Sequence, residues 1–213
     1  MSLSCAQLFG RKSPNTGFMV AAVAGGLLLI STAVVTPGSL SAQEEFPVTS
    51  DPATCTVEPR DLPLWDGTPA AVQNVSQPDP AQGESADDAT IRGITSTIVE
   101  STACANAGQP LRVLALVTDD FLARQFVGEG AADVTESGAL LERPEPTPEP
   151  ADFLTVVAIE NVTSYPDGTI GAVVTSGNND GTYRDYVVFV EGETRWLIEA
   201  SFPIDADAET PEA

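Results

Sequence analysis

Hydrophobic residues fall along the chain in distinct patterns. Residues 17–36 (GFMVAAVAGGLLLISTAVVT) form one uncharged apolar run. Residues 43–84 show no hydrophobic period and are rich in Pro, Asp, Gln and Ser, which reads as a disordered linker or an extended arm. Within it, Leu62, Leu64 and Trp65 are the residues suited to pack on a neighbouring domain. Over 87–107, Ile91, Ile94, Ile98 and Ala105 recur on one face at helical spacing and predict a helix. Ser85, followed three residues later by Asp88, has the capping-box spacing, so Ser85 is the expected N-cap. Gly108 suits the residue just past the helix, where positive φ is needed. Pro110 suits the first position of a second helix. Residues 111–117 are apolar nearly all round and predict a helix buried on several sides. Thr118-Asp119-Asp120 interrupts that run, and it resumes over 121–126.

From Phe153 the pattern changes to strands, expected over 153–162, 169–176, 183–190 and 194–204. Tyr165-Pro166-Asp167-Gly168 is a turn, because Pro fixes φ and Gly accepts positive φ. Residues 177–181 form a second turn. Connections this short make the sheet an antiparallel meander. Residues 128–150 are a low-complexity insert whose second half is a Pro-interrupted acidic run, and 205–213 are an acidic tail. The expected fold class is α+β, with two N-terminal helices packed on an antiparallel sheet over 85–204.

The N-terminal run has the parts of an export signal. Arg11 and Lys12 precede it, Pro37 and Gly38 break it, and Ser39-Leu40-Ser41-Ala42 supplies small residues for cleavage before Gln43. The run also has about the 20 residues that span a bilayer. Residues 1–42 are therefore a cleaved signal peptide or an uncleaved anchor with its basic end in the cytoplasm. Either way the remainder is extracytoplasmic, and membrane contact is expected only through this segment. In an oxidising compartment the two later cysteines, Cys55 and Cys104, are expected to form a disulfide, the alternative being two free thiols.

Charge narrows the partners. Two of the nine basic residues precede the apolar run, and all 31 acidic residues follow it. A field of that sign repels phosphate backbones, so no nucleic-acid partner is expected. Acidic side chains also keep an exported chain dispersed. The absence of His excludes Ser-His-Asp and Cys-His catalysis and His-containing zinc sites. No cofactor or metal is expected. A calcium-loop reading of the turn after Ser176 fails, because position twelve is Val187 rather than Glu.

Asp119 and Asp120 are the candidate catalytic pair. Either would serve as a general base if it projected into an apolar pocket that raised its pKa. Such a pair equally starts or breaks a helix and faces water. Tyr183, Arg184 and Tyr186 share one strand, with Tyr186 on the side of Arg184. They offer a hydroxyl for an oxyanion site or a plain half-exposed face. Phe121, Phe126, Tyr183, Phe189 and Trp196 are candidates to line a pocket, and Phe202 is a further aromatic of this kind; aromatics in a small α+β domain equally fill its core. Asn74-Val75-Ser76 and Asn161-Val162-Thr163 match glycosylation sequons.

Leu114-Ala-Leu-Val-Thr-Asp-Asp-Phe-Leu122 and the closing-strand segment Arg195-Trp-Leu-Ile-Glu199 resemble patterns of the nuclear-transport-factor-2-like superfamily. That superfamily includes the SnoaL-like cyclases and the ketosteroid isomerases. The resemblance covers about 87–204. Val117 stands where the family often has Tyr, and the 128–150 insert replaces short elements before the main sheet. The resemblance implies a cone, with helices packed on a curved sheet around an apolar pocket. It also implies a choice of roles: a small apolar ligand or a protein partner bound without catalysis, or a carboxylate-based isomerase or cyclase. A homodimer through the outer face of the sheet is a further implication. Fold alone does not choose among these.

Overall fold

The computed structural model describes residues 46–61, 75–125 and 146–204. The apolar run, Leu62, Leu64, Trp65, Phe126, most of the 128–150 insert and the acidic tail lie outside the described residues. Among the described residues no helix is long and apolar enough to cross a membrane.

The expected α+β class holds. In chain order the elements are β1 (Val48–Thr49), β2 (Glu84–Ser85), α1 (Asp88–Asn106), α2 (Pro110–Leu114) and α3 (Asp119–Gln125). Then follow β3 (Thr155–Ser164), β4 (Ile170–Asn178), β5 (Gly181–Glu191) and β6 (Trp196–Pro203). The sheet is antiparallel, in the order β1-β3-β4-β5-β6, with β2 also on β3. The last four strands are the expected meander. β1 pairs with Thr155 and Val156, and β2 pairs with Thr163 and Ser164, so both lie along one edge strand. Asn161 takes left-handed backbone (φ 53) where the β3 ladder skips register, a conformation Asn tolerates better than most residues.

α1 is capped two residues later than the sequence expectation. The Asp87 carboxylate accepts from the Thr90 N–H at 2.7 Å, whereas Ser85 is committed to β2. At the other end Gly108 has φ 66. Its N–H bonds Ala105 O, and the Gln109 N–H bonds Cys104 O, each at 3.0 Å. This is the paired-bond stop that glycine favours.

The expected helix over 111–117 is shorter than its hydrophobicity implied. α2 ends at Leu114 because a strand edge takes the backbone that follows. Leu116 O accepts from Ile198 N–H at 2.9 Å, and Thr118 N–H donates to Ile198 O at 3.0 Å. Thr118 then caps α3, its hydroxyl accepting from the Phe121 N–H at 3.0 Å. Residues 116–118 thereby block the free edge of β6, as β1 and β2 block parts of the opposite edge. A register shift in β6 leaves Glu199 without a ladder partner. Glu199 bonds Arg124 at 2.9 Å, with both side chains largely buried, and ties α3 to the sheet.

The main core lies between helices and sheet. Ile94, Ile98, Leu114, Phe121 and Leu122 meet Val156, Ile170, Ala172, Val174, Val187, Phe189 and Ile198. A second cluster on the far face joins Val173, Tyr186, Val188 and Ala200, with Val75 of the arm packed against it.

The described parts of 43–84 lie against the domain as an arm. Cys55 and Cys104 form the expected disulfide across a separation of 49 residues, a loop whose closure is worth about 4 kcal/mol in the chain-entropy account. Arg112 donates from α2 to Val57 O at 2.7 Å, and Arg60 donates from the arm to Val117 O at 2.7 Å and Leu114 O at 3.1 Å. Ser101, Thr102, Ala103 and Cys104 are consecutive and all buried. A helix packed on one face cannot bury such a run; the arm supplies the second wall.

Asn106 is 1 % exposed and joins three segments. Its Nδ2 donates to Ser50 O and Leu154 O, each at 3.0 Å, and its Oδ1 accepts from Leu154 N–H at 2.8 Å. Asn106→Ala would leave those three backbone groups without their partner, costing about 3 kcal/mol. Urea unfolding of the oxidised chain checks this; a loss under about 1 kcal/mol would mean water replaces the amide.

Candidate functional site

A groove of about 470 Å³ opens between α1 and the β5–β6 hairpin. Helical spacing puts Gly93, Ser96, Thr97 and Glu100 along one wall. The hairpin residues 191–196 make the other. Gly93 is required there by contact, because a Cβ would lie 2.5 Å from Trp196 Cδ1. The indole rests against the helix, partly buried against the main core. The Thr97 hydroxyl donates to Trp196 O at 2.8 Å and fixes the strand to the helix. Arg195 bonds Glu100 at 2.8 Å, and Glu100 also accepts from the Thr56 hydroxyl at 3.1 Å. Glu191 and Glu193 stand exposed on the rim. The surface is thus concave, polar and anionic, with one aromatic wall.

A second hollow of about 350 Å³ lies at the α2–α3 break, beside Arg60, Val117, Thr118, Asp119 and Leu197. Burial lowers the Arg60 guanidinium from its ordinary value, yet an arginine stays charged. Its ion pair is with Asp119. No group of acidic or Cys side chains with metal-binding proximity exists among the described residues.

The candidate residues named from sequence do not converge. Asp119 and Asp120 occupy the first turn of α3 and are exposed, the Asp119 side chain at 81 %. Phe121 (5 %) and Phe189 (0 %) are interior residues of the main core. Tyr183 is half-buried near the start of β5, and Phe126 lies outside the described residues. Trp196 lines the groove and Asp119 the separate second hollow. The groove's other determinants, Gly93, Glu100 and the 191–195 turn, carry no linear motif. Their only sequence signal was a glycine on the polar side of a predicted helix.

Tyr186 does not stand on a half-exposed face. It is buried on the far face, where its hydroxyl meets Tyr165 Oη at 2.5 Å. Gly171 makes the room, since a Cβ there would strike the Tyr186 hydroxyl. Arg184 is exposed and only loosely paired with Glu160 at 3.7 Å. Burial raises the Tyr186 phenol above its ordinary value, and the bond to Tyr165 adds to this.

No family model, curated protein or solved structure matches the chain.

The raised Tyr186 pKa has a direct consequence for stability. The fold holds the neutral phenol, while the unfolded chain ionises its tyrosines near pH ~10. The contribution of Tyr186 is therefore complete below about pH 10 and is lost as pH climbs beyond it. Urea midpoints between about pH 8 and 11 are expected to fall in the wild type and to fall less steeply in Tyr186→Phe. Equal slopes would assign the alkaline loss elsewhere.

Proposed function

We propose that the chain is an extracytoplasmic binding domain that performs no chemistry of its own and meets a protein partner at its surface. One observation carries this reading. Among the described residues the space between helices and sheet is occupied by interlocked side chains, with Ile94, Leu122, Val156 and Phe189 at 0 % exposure. A filled interior of this kind leaves no room for a substrate beside a base. The exposed positions of Asp119 and Asp120 support the same conclusion, because a solvated carboxylate lacks the desolvation that would make it an effective base.

On this reading the helices and curved sheet are a cone-like arrangement of the nuclear-transport-factor-2-like kind, with its pocket closed by packing. The disulfide is compatible with an extracytoplasmic location. The groove beside Trp196 is the contact surface. Its partner is a protein segment bearing Lys or Arg, chosen by charge complementarity. Glu191 and Glu193 line its rim, the indole offers a π face, and the net charge of the chain is −22.

Native mass spectrometry of the exported chain from its own envelope is expected to show no retained small molecule. A co-purified apolar ligand would overturn the filled-interior reading. A Lys-rich peptide is expected to quench Trp196 emission in a Trp65→Phe background. The response should disappear in Glu191→Gln/Glu193→Gln and shrink at about 1 M salt. Equal quenching by a Glu-rich peptide would remove the groove from the proposal.

A further inference from the structure

Residues 51–61 are bound to the domain in an unusual way. They add no strand to the sheet; Val57 enters a buried cluster with Cys104, Val113 and Leu116, and Cys55 packs partly buried against it. Two of their polar contacts sit at the surface. Thr56 to Glu100 is an exposed hydrogen bond. The Arg60 ion pair ends on an exposed carboxylate, a geometry that contributes little in water. The firmer contacts are the Arg60 and Arg112 bonds to backbone carbonyls and the Arg60 N–H to Leu111 O at 3.0 Å. Ordering a segment of this length costs entropy at every residue, and so few contacts do not offset it. Residues 46–50, by contrast, are held independently by β1 and by Asn106. The covalent bond is what retains the segment after Ser50.

We propose that Cys55–Cys104 is a redox latch for this strap. A dithiol reductant delivers two electrons and two protons to the disulfide, producing two thiols and becoming a disulfide itself. Residues 51–61 then leave α1 and α2 while the sheet and main core stay folded. Departure uncovers Cys104, Val113 and Leu116 and frees the Leu114 and Val117 carbonyls. The reduced chain thus presents an apolar strip that the oxidised chain hides. The strap closes only where thiols are oxidised, which couples completion of the fold to export. This inference is independent of any role for the groove.

Trypsin tests it through Arg60, whose partly buried side chain is held by the Leu114 and Val117 carbonyls. Cleavage after Arg60 is expected to accelerate at least about 10-fold on reduction with a dithiol, while cleavage after Arg184 in β5 stays unchanged. The double variant Cys55→Ser/Cys104→Ser should behave as the reduced wild type without any reductant. Equal protection of Arg60 in both redox states would overturn the latch. Joint acceleration at Arg60 and Arg184 would also overturn it, since the strap would then not open as a separate unit.

Discussion

The last turn of α1 holds the molecule together. Asn106 is a buried amide whose donors and acceptor are used on Ser50 and Leu154, residues far from it and from each other in sequence. Two residues earlier, Cys104 is bonded to Cys55. A buried amide is costly unless every bond is made, so Asn106 admits one arrangement of arm, helix and first long strand. The covalent link then restricts the same neighbourhood in the unfolded chain. Directional bonds choose the geometry, and the disulfide makes it persist.

The break between α2 and α3 follows from that arrangement. With the arm in place, Arg60 sits over the end of α2 and accommodates carbonyls that a continuing helix would have used. The freed backbone at 116–118 pairs with β6 instead. Arg60 thus bonds carbonyls at the end of α2 beside the backbone that pairs with β6. The buried Arg124–Glu199 pair then sets α3 against β6.

These closures leave little apolar surface. Among the described residues Val157, at 40 %, is the one large hydrophobic side chain counted as exposed. On the far face Val173, Tyr186, Val188 and Ala200 are buried within the same chain. Among the described residues the groove beside Trp196 is concave and polar, with Glu191 and Glu193 on its rim. A surface of that kind recognises charge and hydrogen bonding rather than hydrocarbon.

Local chemistry was legible in the sequence. The period of Ile94 and Ile98, the glycine at 108 and the proline at 110 set α1 and the start of α2 within a residue or so. Alternation and turn residues set the four-strand meander, and the pair of later cysteines pointed to the disulfide. Each is a property of neighbouring residues or of residue count, which a linear pattern can carry. The partner of Asn106, the role of Arg60, the end of α2 at Leu114 and the burial of Tyr186 against Tyr165 were decided only by tertiary structure. In each case a polar group is satisfied by a partner distant in the chain, and no local periodicity encodes that pairing. The same reason separates Asp119 and Asp120 from Phe121 and Phe189. They are adjacent or patterned alike in sequence, but the start of α3 sends the carboxylates to water while packing takes the rings inside.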